Sequence, residues 1–290
     1  MVKESLTQTG RGFAIKSKTQ NYKPWPLLVL VACEAISGKY EHALPAAAAL
    51  QLHMAAGDIF DDIEDADSKD SIPARYGITI ATNIATTILT LAEKAITQLK
   101  KKGIDDHVIV SIIDIVNSLC ITSCVGQHLD LSLASNITLS EDMYFRIIGM
   151  KSASQIECAC HVGALLTTTD QDLVDTFAKF GHNLGMASQI ANDIQGITTG
   201  IDLFKKRMTL PVIYALNQAN KEDRYQLKFI FSRQSGPITD LEKLRNMITN
   251  NGAIYYSIIK MELFKQQALD ILTKIKEKGI NIERMKLFLE

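Results

Sequence analysis

From Pro24 onward, apolar side chains recur at intervals of three and four along almost the whole chain, the spacing that lines one face of a helix. Strand-like alternation bounded by turn dipeptides is scarce, so the expected fold class is all-α. Helices are expected over residues 25–37, 42–67, 73–101, 105–133, 140–166, 170–198, 209–219, 222–233 and 252–278. Several of them are long, and long helices with inward polar groups suit a bundle that builds a site in its core. Only six prolines interrupt the 290 residues, 47% of which are hydrophobic, and no Gly/Ser-rich or Pro-rich stretch marks a linker. A single domain over 1–290 is therefore expected, with 1–22 a loosely packed N-terminal segment. No repeat of fixed period is present.

A net charge of -1 without a basic cluster argues against nucleic acid as a partner, because neutralising phosphates needs grouped Lys and Arg. The five cysteines, Cys33, Cys120, Cys124, Cys158 and Cys160, all fall in apolar helical segments. They are expected to be reduced and buried, and no histidine pair near Cys120 and Cys124 favours zinc. The polar N-terminus lacks the apolar core of a secretory signal. The longest apolar runs, PLLVLVACEAI and VIVSIIDIV, fall short of the roughly 20 residues of a spanning helix. A cytoplasmic protein is expected, with peripheral contact at the inner membrane face left open.

The segment HMAAGDIFDDIEDADS places Asp58, Asp61, Asp62 and Asp65 at i, i+3, i+4 and i+7, which is one helical face. Four carboxylates so close repel and raise each other's pKa unless cations occupy the stripe. Hard oxygen ligands suit Mg²⁺, which takes one or two carboxylates and completes its shell with water and phosphate oxygens. The alternative is a solvated acidic face, against which stands the nearly uncharged AAAALQLHMAAG upstream.

Further on, Gln189, Asn192, Asp193 and Gly196 repeat the same spacing in MASQIANDIQGI. Facing helices with two such stripes would hold metal ions bridged by diphosphate oxygens. An ordinary buried polar patch is the alternative.

Several motifs then resemble the isoprenyl diphosphate synthase family, in the family's order and over nearly the whole chain. Asp61-Asp62-Ile63-Glu64-Asp65 resembles its first aspartate-rich motif, and Gly126-Gln127-His128-Leu129-Asp130 its GQxxD signature. Lys151-Ser152 stands where the family has Lys-Thr, Asn192-Asp193 at the second aspartate-rich position, and Asp202 to Arg207 with Thr209-Leu210-Pro211 resembles the stretch after it. The resemblance implies an isoprenoid-synthase-type bundle with a central Mg²⁺ and diphosphate cavity. It implies catalytic roles for Asp61, Asp62, Asp65, Asp193 and Lys151, and Mg²⁺ ligation by Asp61, Asp65, Asn192 and Asp193. Lys151 and Arg207 would touch the diphosphate of an allylic prenyl donor, a role chemically apt for fixed cations in a dry cavity. Gln127, Asp130 and Gln189 are either substrate contacts or buried polar groups satisfied within the bundle.

The acceptor side departs from the family pattern. Trp25 replaces the arginine of the N-terminal motif in QNYKPWP, and PARYG retains one arginine, Arg75, where the family has two. A second diphosphate would lose strong charge-assisted hydrogen bonds there, so an uncharged acceptor is expected. Within the family the departures look most like the ComQ group, which prenylates a tryptophan of a pheromone precursor peptide. Trp25 is then an aromatic wall of the acceptor pocket, or core filler beside Pro24 and Pro26. Ala56 and Gly57, one turn before Asp61, would leave room for a farnesyl tail. Chain elongation with isopentenyl diphosphate, a non-catalytic partner subunit and a terpene cyclase are the other readings. A homodimer is what the family suggests.

Overall fold

A computed structural model describes residues 24–65, 70–134, 136–232 and 240–290, leaving the expected N-terminal segment 1–22 and the end of the helix expected over 42–67 outside the described residues. Among the described residues the chain is helical and has no strand. In order the helices are α1 (Pro24–Ser37), α2 (Leu44–Asp65), α3 (Ile72–Tyr76), α4 (Ile78–Ile96), α5 (Asp106–Leu133), α6 (Glu141–Ile148) and α7 (Ser154–Leu165). There follow α8 (Gln171–Thr199), α9 (Ile201–Phe204), α10 (Leu210–Gln218), α11 (Lys221–Phe231), α12 (Leu241–Thr249), α13 (Ala253–Glu277) and α14 (Glu283–Lys286).

Two expected helices are broken. Gly77, at φ +83°, closes α3 with its N–H on the Pro73 carbonyl and separates it from α4, a conformation that favours glycine. A π-helical turn, Gly149–Ala153, interrupts the helix expected over 140–166. α9 and α14, each four residues, are too short for periodicity to register, and α12 was also unexpected. Yet α12 has a legible signal: Leu241, Leu244 and Ile248 share a face, and Asp240 caps it by accepting from the Lys243 N–H.

The described residues group into two compact units, one drawn from 1–119, 155–181 and 269–290, the other from 120–154 and 182–268. In the first, α2 packs along α4, with Ala55, Ala56 and Ile59 against Ala81, Ile84, Ala85 and Ile88. Small residues let the helix axes approach closely, and burying Ile88 completely contributes about 2 kcal/mol. Arg284 of α14 donates to Glu34 of α1 at 2.6 Å. His53, 9% exposed on α2, holds Nε2 at 3.4 Å from Glu93 Oε1 of α4.

In the second unit one cluster gathers Tyr144, Ile147, Ile148, Met186, Ile190, Leu210 and Ile213. Another joins Ile197, Leu203, Val212, Leu216, Leu227, Phe231, Leu244 and Ile248. Tyr256 of α13 stacks on Tyr214 with centroids 4.2 Å apart. Its hydroxyl donates to Glu141 at 2.6 Å, and the Lys260 ammonium to the same carboxylate at 2.7 Å, which ties α13 to α6.

Two expectations are corrected. Cys33, Cys158 and Cys160 are buried, but Cys120 is half-buried and Cys124 exposed, and all five are free. Burial pushes the Cys33 thiol up to about 11, far from a reactive thiolate. And α5 is long and apolar enough to cross a membrane by length and composition, although its apolar window is mostly unburied. In it Ser123 donates to the Lys151 carbonyl at 3.0 Å.

Burial lowers the His53 pKa from 6.5 and raises that of Glu93, so the charged form is disfavoured at each. For a histidine depressed in the folded state, stability is fully present above 6.5 and is lost as pH falls below it. Between about pH 7 and 5 the urea midpoint of the wild type should therefore drop more than that of His53→Leu; parallel pH profiles would show that His53 is not the titrating group.

Candidate functional site

The acidic stripe forms as expected. Asp61, Asp62 and Asp65 lie half-buried on the last turns of α2, while Asp58 and Glu64 are exposed. Ala56 and Gly57 divide: Ala56 is wholly buried in the α2–α4 interface, whereas Gly57 is exposed, with nothing within 4 Å of where a Cβ would stand. Of the pair, open space stands only before Gly57. Trp25 is half-buried at the start of α1. Arg75 is exposed on α3, with a guanidinium nitrogen 3.9 Å from Asp70.

In the second unit the GQxxD residues of α5 meet the π-turn. A Cβ on Gly126 would fall 2.6 Å from the Lys151 backbone nitrogen, so only glycine lets α5 approach this closely. The wide π-turn, a feature frequent at functional sites, turns Lys151 toward Asp130, whose Oδ2 accepts from Nζ at 2.9 Å. Gln127 is half-buried on α5 beside Gly126.

Asp193 of α8 lies in the core. It is 4% exposed. Its Oδ2 accepts from the Tyr144 hydroxyl at 2.7 Å and its Oδ1 from Gln189 Nε2 at 2.8 Å, and the Leu210 N–H at the start of α10 also serves it. Burial pushes the carboxyl up to about 7 against the opposing pull of these donors, with Asp202 adding to the rise. The Tyr144 hydroxyl is raised well above its ordinary value, first by burial and then by Asp193.

Asn192, the neighbouring residue of the second motif, is half-buried. The Asp202 carboxylate, 8% exposed, fills the space over Gly196, where any side chain would collide with it. Burial raises its pKa while Arg207 and Lys205 draw it down. Arg207 itself is exposed, following Lys206 at φ +53°, and its N–H bonds the Asp202 carbonyl at 2.9 Å.

The donor chemistry divides the expected Mg²⁺ ligands. Among the described residues no three His, Cys, Asp or Glu side chains converge as a metal cluster, but Mg²⁺ asks for only one or two carboxylates with phosphate and water. Asp61 and Asp65, hard donors one turn apart, fit that demand. Asp193 is buried, with each oxygen already accepting a hydrogen bond. Tyr144 was missed altogether. Its signal was a tyrosine on the apolar stripe shared with Ile147 and Ile148, since a buried phenol needs a partner. The cavity of about 400 Å³ between α11 and α12, lined by Asp223, Asp240 and Asn246 among others, contains none of the residues singled out from sequence.

The polyprenyl synthetase family model matches residues 23–248. The tryptophan prenyltransferase ComQ of Bacillus subtilis subsp. natto is 31% identical over 246 residues, covering 81% of this chain and 74% of the relative. A geranylgeranyl diphosphate synthase of Mycobacterium tuberculosis is 29% identical over 207 residues, covering 67% and 58%. Among solved structures, a polyprenyl synthase from Caulobacter crescentus complexed with calcium and isoprenyl diphosphate superposes with a TM-score of 0.82 at 19% identity, covering 100% of this chain and 90% of that one. The geranylgeranyl pyrophosphate synthetase from Pyrococcus horikoshii gives 0.81 at 20% identity, covering 92% and 82%. These likenesses show the fold.

Gly126→Ala should lower stability by about 1–3 kcal/mol, the usual range for overpacking a tight contact. Equilibrium urea unfolding measures it, and an unchanged midpoint would mean that α5 and the π-turn have room to part.

Proposed function

The chain belongs to the polyprenyl synthetase family, and on that premise we propose that it ionises an allylic diphosphate, farnesyl or geranyl, and transfers the prenyl group to a tryptophan of a pheromone precursor peptide. The reading treats residues 1–290 as one domain. The observation that carries it over chain elongation is the depleted acceptor side: Trp25 where the family pattern has arginine, and Arg75 alone after the first motif. The tryptophan prenyltransferase among its relatives supports the same acceptor class.

The residues would work as follows. Asp61 and Asp65 would hold Mg²⁺, which when bound neutralises the departing diphosphate, and Asn192 and Asp193 are the further candidate ligands. The Lys151 contact with Asp130 is half-exposed on both sides, and such pairs are worth only about 0–1 kcal/mol. Lys151 can therefore exchange Asp130 for a more highly charged diphosphate. Arg207, drawn toward Asp202, adds a second cation to the same leaving group. Gly57 leaves space for the tail. Indole C3 is electron-rich enough to attack an allylic cation without a strong protein base. The five free cysteines accord with a reducing, cytoplasmic compartment.

A second reading, elongation with isopentenyl diphosphate, draws support from the geranylgeranyl diphosphate synthase relative. Purified protein with Mg²⁺ and farnesyl diphosphate, offered either isopentenyl diphosphate or a tryptophan-containing peptide, separates the two by product mass. A prenylated peptide is expected, and an elongated diphosphate would replace the first reading by the second. Asp61→Ala or Asp65→Ala should lower either product about 100-fold or more, as loss of a main charge-stabilising group does; undiminished turnover would eliminate the metal role.

We also propose a homodimer, supported by Ile121 and Val125, 66% and 43% exposed one turn apart on α5. Sedimentation should give twice the 32.1 kDa chain mass, and Ile121→Glu should shift it toward the monomer. A monomeric wild type at micromolar concentration would reject the interface.

A further inference from the structure

We infer that the exposed apolar ridge of Ile201 and Phe204 on α9 is a docking site for the acceptor, an acidic peptide held beside the cations that follow the ridge. The inference rests on the proposed transfer of the prenyl group to a peptide.

The short helix α9 buries its middle and exposes its ends. Asp202, 8% exposed, lies over Gly196, and Leu203 is wholly buried in the cluster that contains Val212, Leu216 and Leu244. Ile201 and Phe204, at i and i+3, share a side of the helix and are 56% and 73% exposed. Backbone hydrogen bonds hold the turn: the Phe204 and Lys205 N–H groups donate to the Gly200 and Ile201 carbonyls at 2.9 and 3.1 Å. Lys206 closes it at φ +53°, the one positive φ at a non-glycine among the described residues, a conformation unfavourable for a residue with a Cβ. The Lys206 N–H bonds the Leu203 carbonyl at 3.0 Å, and the Arg207 N–H that of Asp202 at 2.9 Å.

Exposed apolar side chains scattered singly are ordinary. Here two stand together on a strained, hydrogen-bonded turn, and strain of this kind gathers at segments that clamp ligands. An anchor already ordered before it is covered also loses little freedom on binding.

Two features select the occupant. Lys205, Lys206 and Arg207 follow Phe204 without a break, and the one acidic side chain of the turn, Asp202, is buried. The turn therefore complements an acidic chain and repels a basic one. Phe204 and Arg207 are also only three residues apart, a span of at most about 11 Å, and Arg207 is the proposed contact of the leaving diphosphate. A chain held on the ridge thus lies within a few residues' reach of the donor, which an acceptor peptide requires and a lipid surface does not.

The probe is a short fluorescein-labelled peptide of glutamates and leucines around one tryptophan, with a counterpart in which lysines replace the glutamates. Anisotropy titrations use the whole chain without farnesyl diphosphate, as wild type, Phe204→Ser and Ile201→Ser. The wild type should bind the acidic peptide more tightly than the lysine peptide. Phe204→Ser should weaken the acidic peptide about 10-fold, the effect of truncating an interface anchor, and Ile201→Ser should weaken it less. Because both side chains are exposed, the urea midpoint should hold. Pyrophosphate binding with Mg²⁺, followed by calorimetry, should be the same in all three proteins.

Equal affinity of wild type and Phe204→Ser for the acidic peptide, or no preference over the lysine peptide, would overturn the inference. Ile201→Ser decides the point if Phe204→Ser does not fold. Sedimentation with phosphatidylglycerol vesicles that depends on Phe204, without peptide binding, would make the ridge a membrane contact instead. A lower sedimenting mass for Phe204→Ser would make it an interface between copies, which equally overturns the inference. The ridge and the reaction fail separately, since binding is read without the prenyl donor. A peptide bound through Phe204 but never prenylated overturns the proposed transfer, whereas one prenylated by Phe204→Ser at undiminished kcat/KM overturns the ridge.

Discussion

Burying the Asp193 carboxylate constrains the second unit more than any apolar contact does. An ion of this kind loses several kcal/mol of hydration unless donors replace the water. The replacements come from three helices: the Tyr144 hydroxyl of α6, the Gln189 amide of α8 and the Leu210 N–H of α10. Each can reach the carboxylate only if its own helix is correctly placed, so the polar requirement fixes what the surrounding Ile147, Ile190 and Ile213 fill. Apolar packing tolerates exchange of one side chain for another of similar volume. A carboxylate with named donors does not.

The same logic accounts for the local irregularities. The π-turn at Gly149–Ala153 follows directly on the helix that carries Tyr144, and α5 closes on it at Gly126. Those two departures from regular helix bring Lys151 and Asp130 together from segments 21 residues apart. At Gly196 the missing side chain is replaced by the carboxylate of Asp202, so the weakened second acidic motif is filled from a later turn of chain. Irregular backbone and absent side chains are thus where the second unit gathers its charged groups.

The first unit follows a plainer rule. Alanines let α2 and α4 approach, and beside the apolar cluster they form His53 stands next to Glu93. Toward its end α2 becomes acidic while Phe60 and Ile63 still pack on the same cluster, and Asp61, Asp62 and Asp65 lie half-buried there. Small residues upstream and carboxylates downstream give one helix both a packing face and a cation-attracting end.

Most helices were legible because a three-to-four period over long segments is a strong signal, and the acidic stripe was legible because four carboxylates on one face have few physical justifications. Gly77 and Gly149 mark the breaks in two expected helices, yet a glycine inside a periodic segment does not announce whether it bends, widens or continues the helix. α9 and α14 were hidden by their brevity. Tyr144 was overlooked since nothing in the order of residues says which buried phenol meets which carboxylate 49 positions away. Amino-acid order by itself determined the all-α class, the acidic end of α2 and the unusual residues Trp25 and Arg75, all of which are local properties of side chains at fixed spacing. Tertiary structure alone decided how Asp193 is held, buried against the Tyr144 hydroxyl and the Gln189 amide. Whether a carboxylate faces water or the core depends on helices that approach from distant parts of the chain.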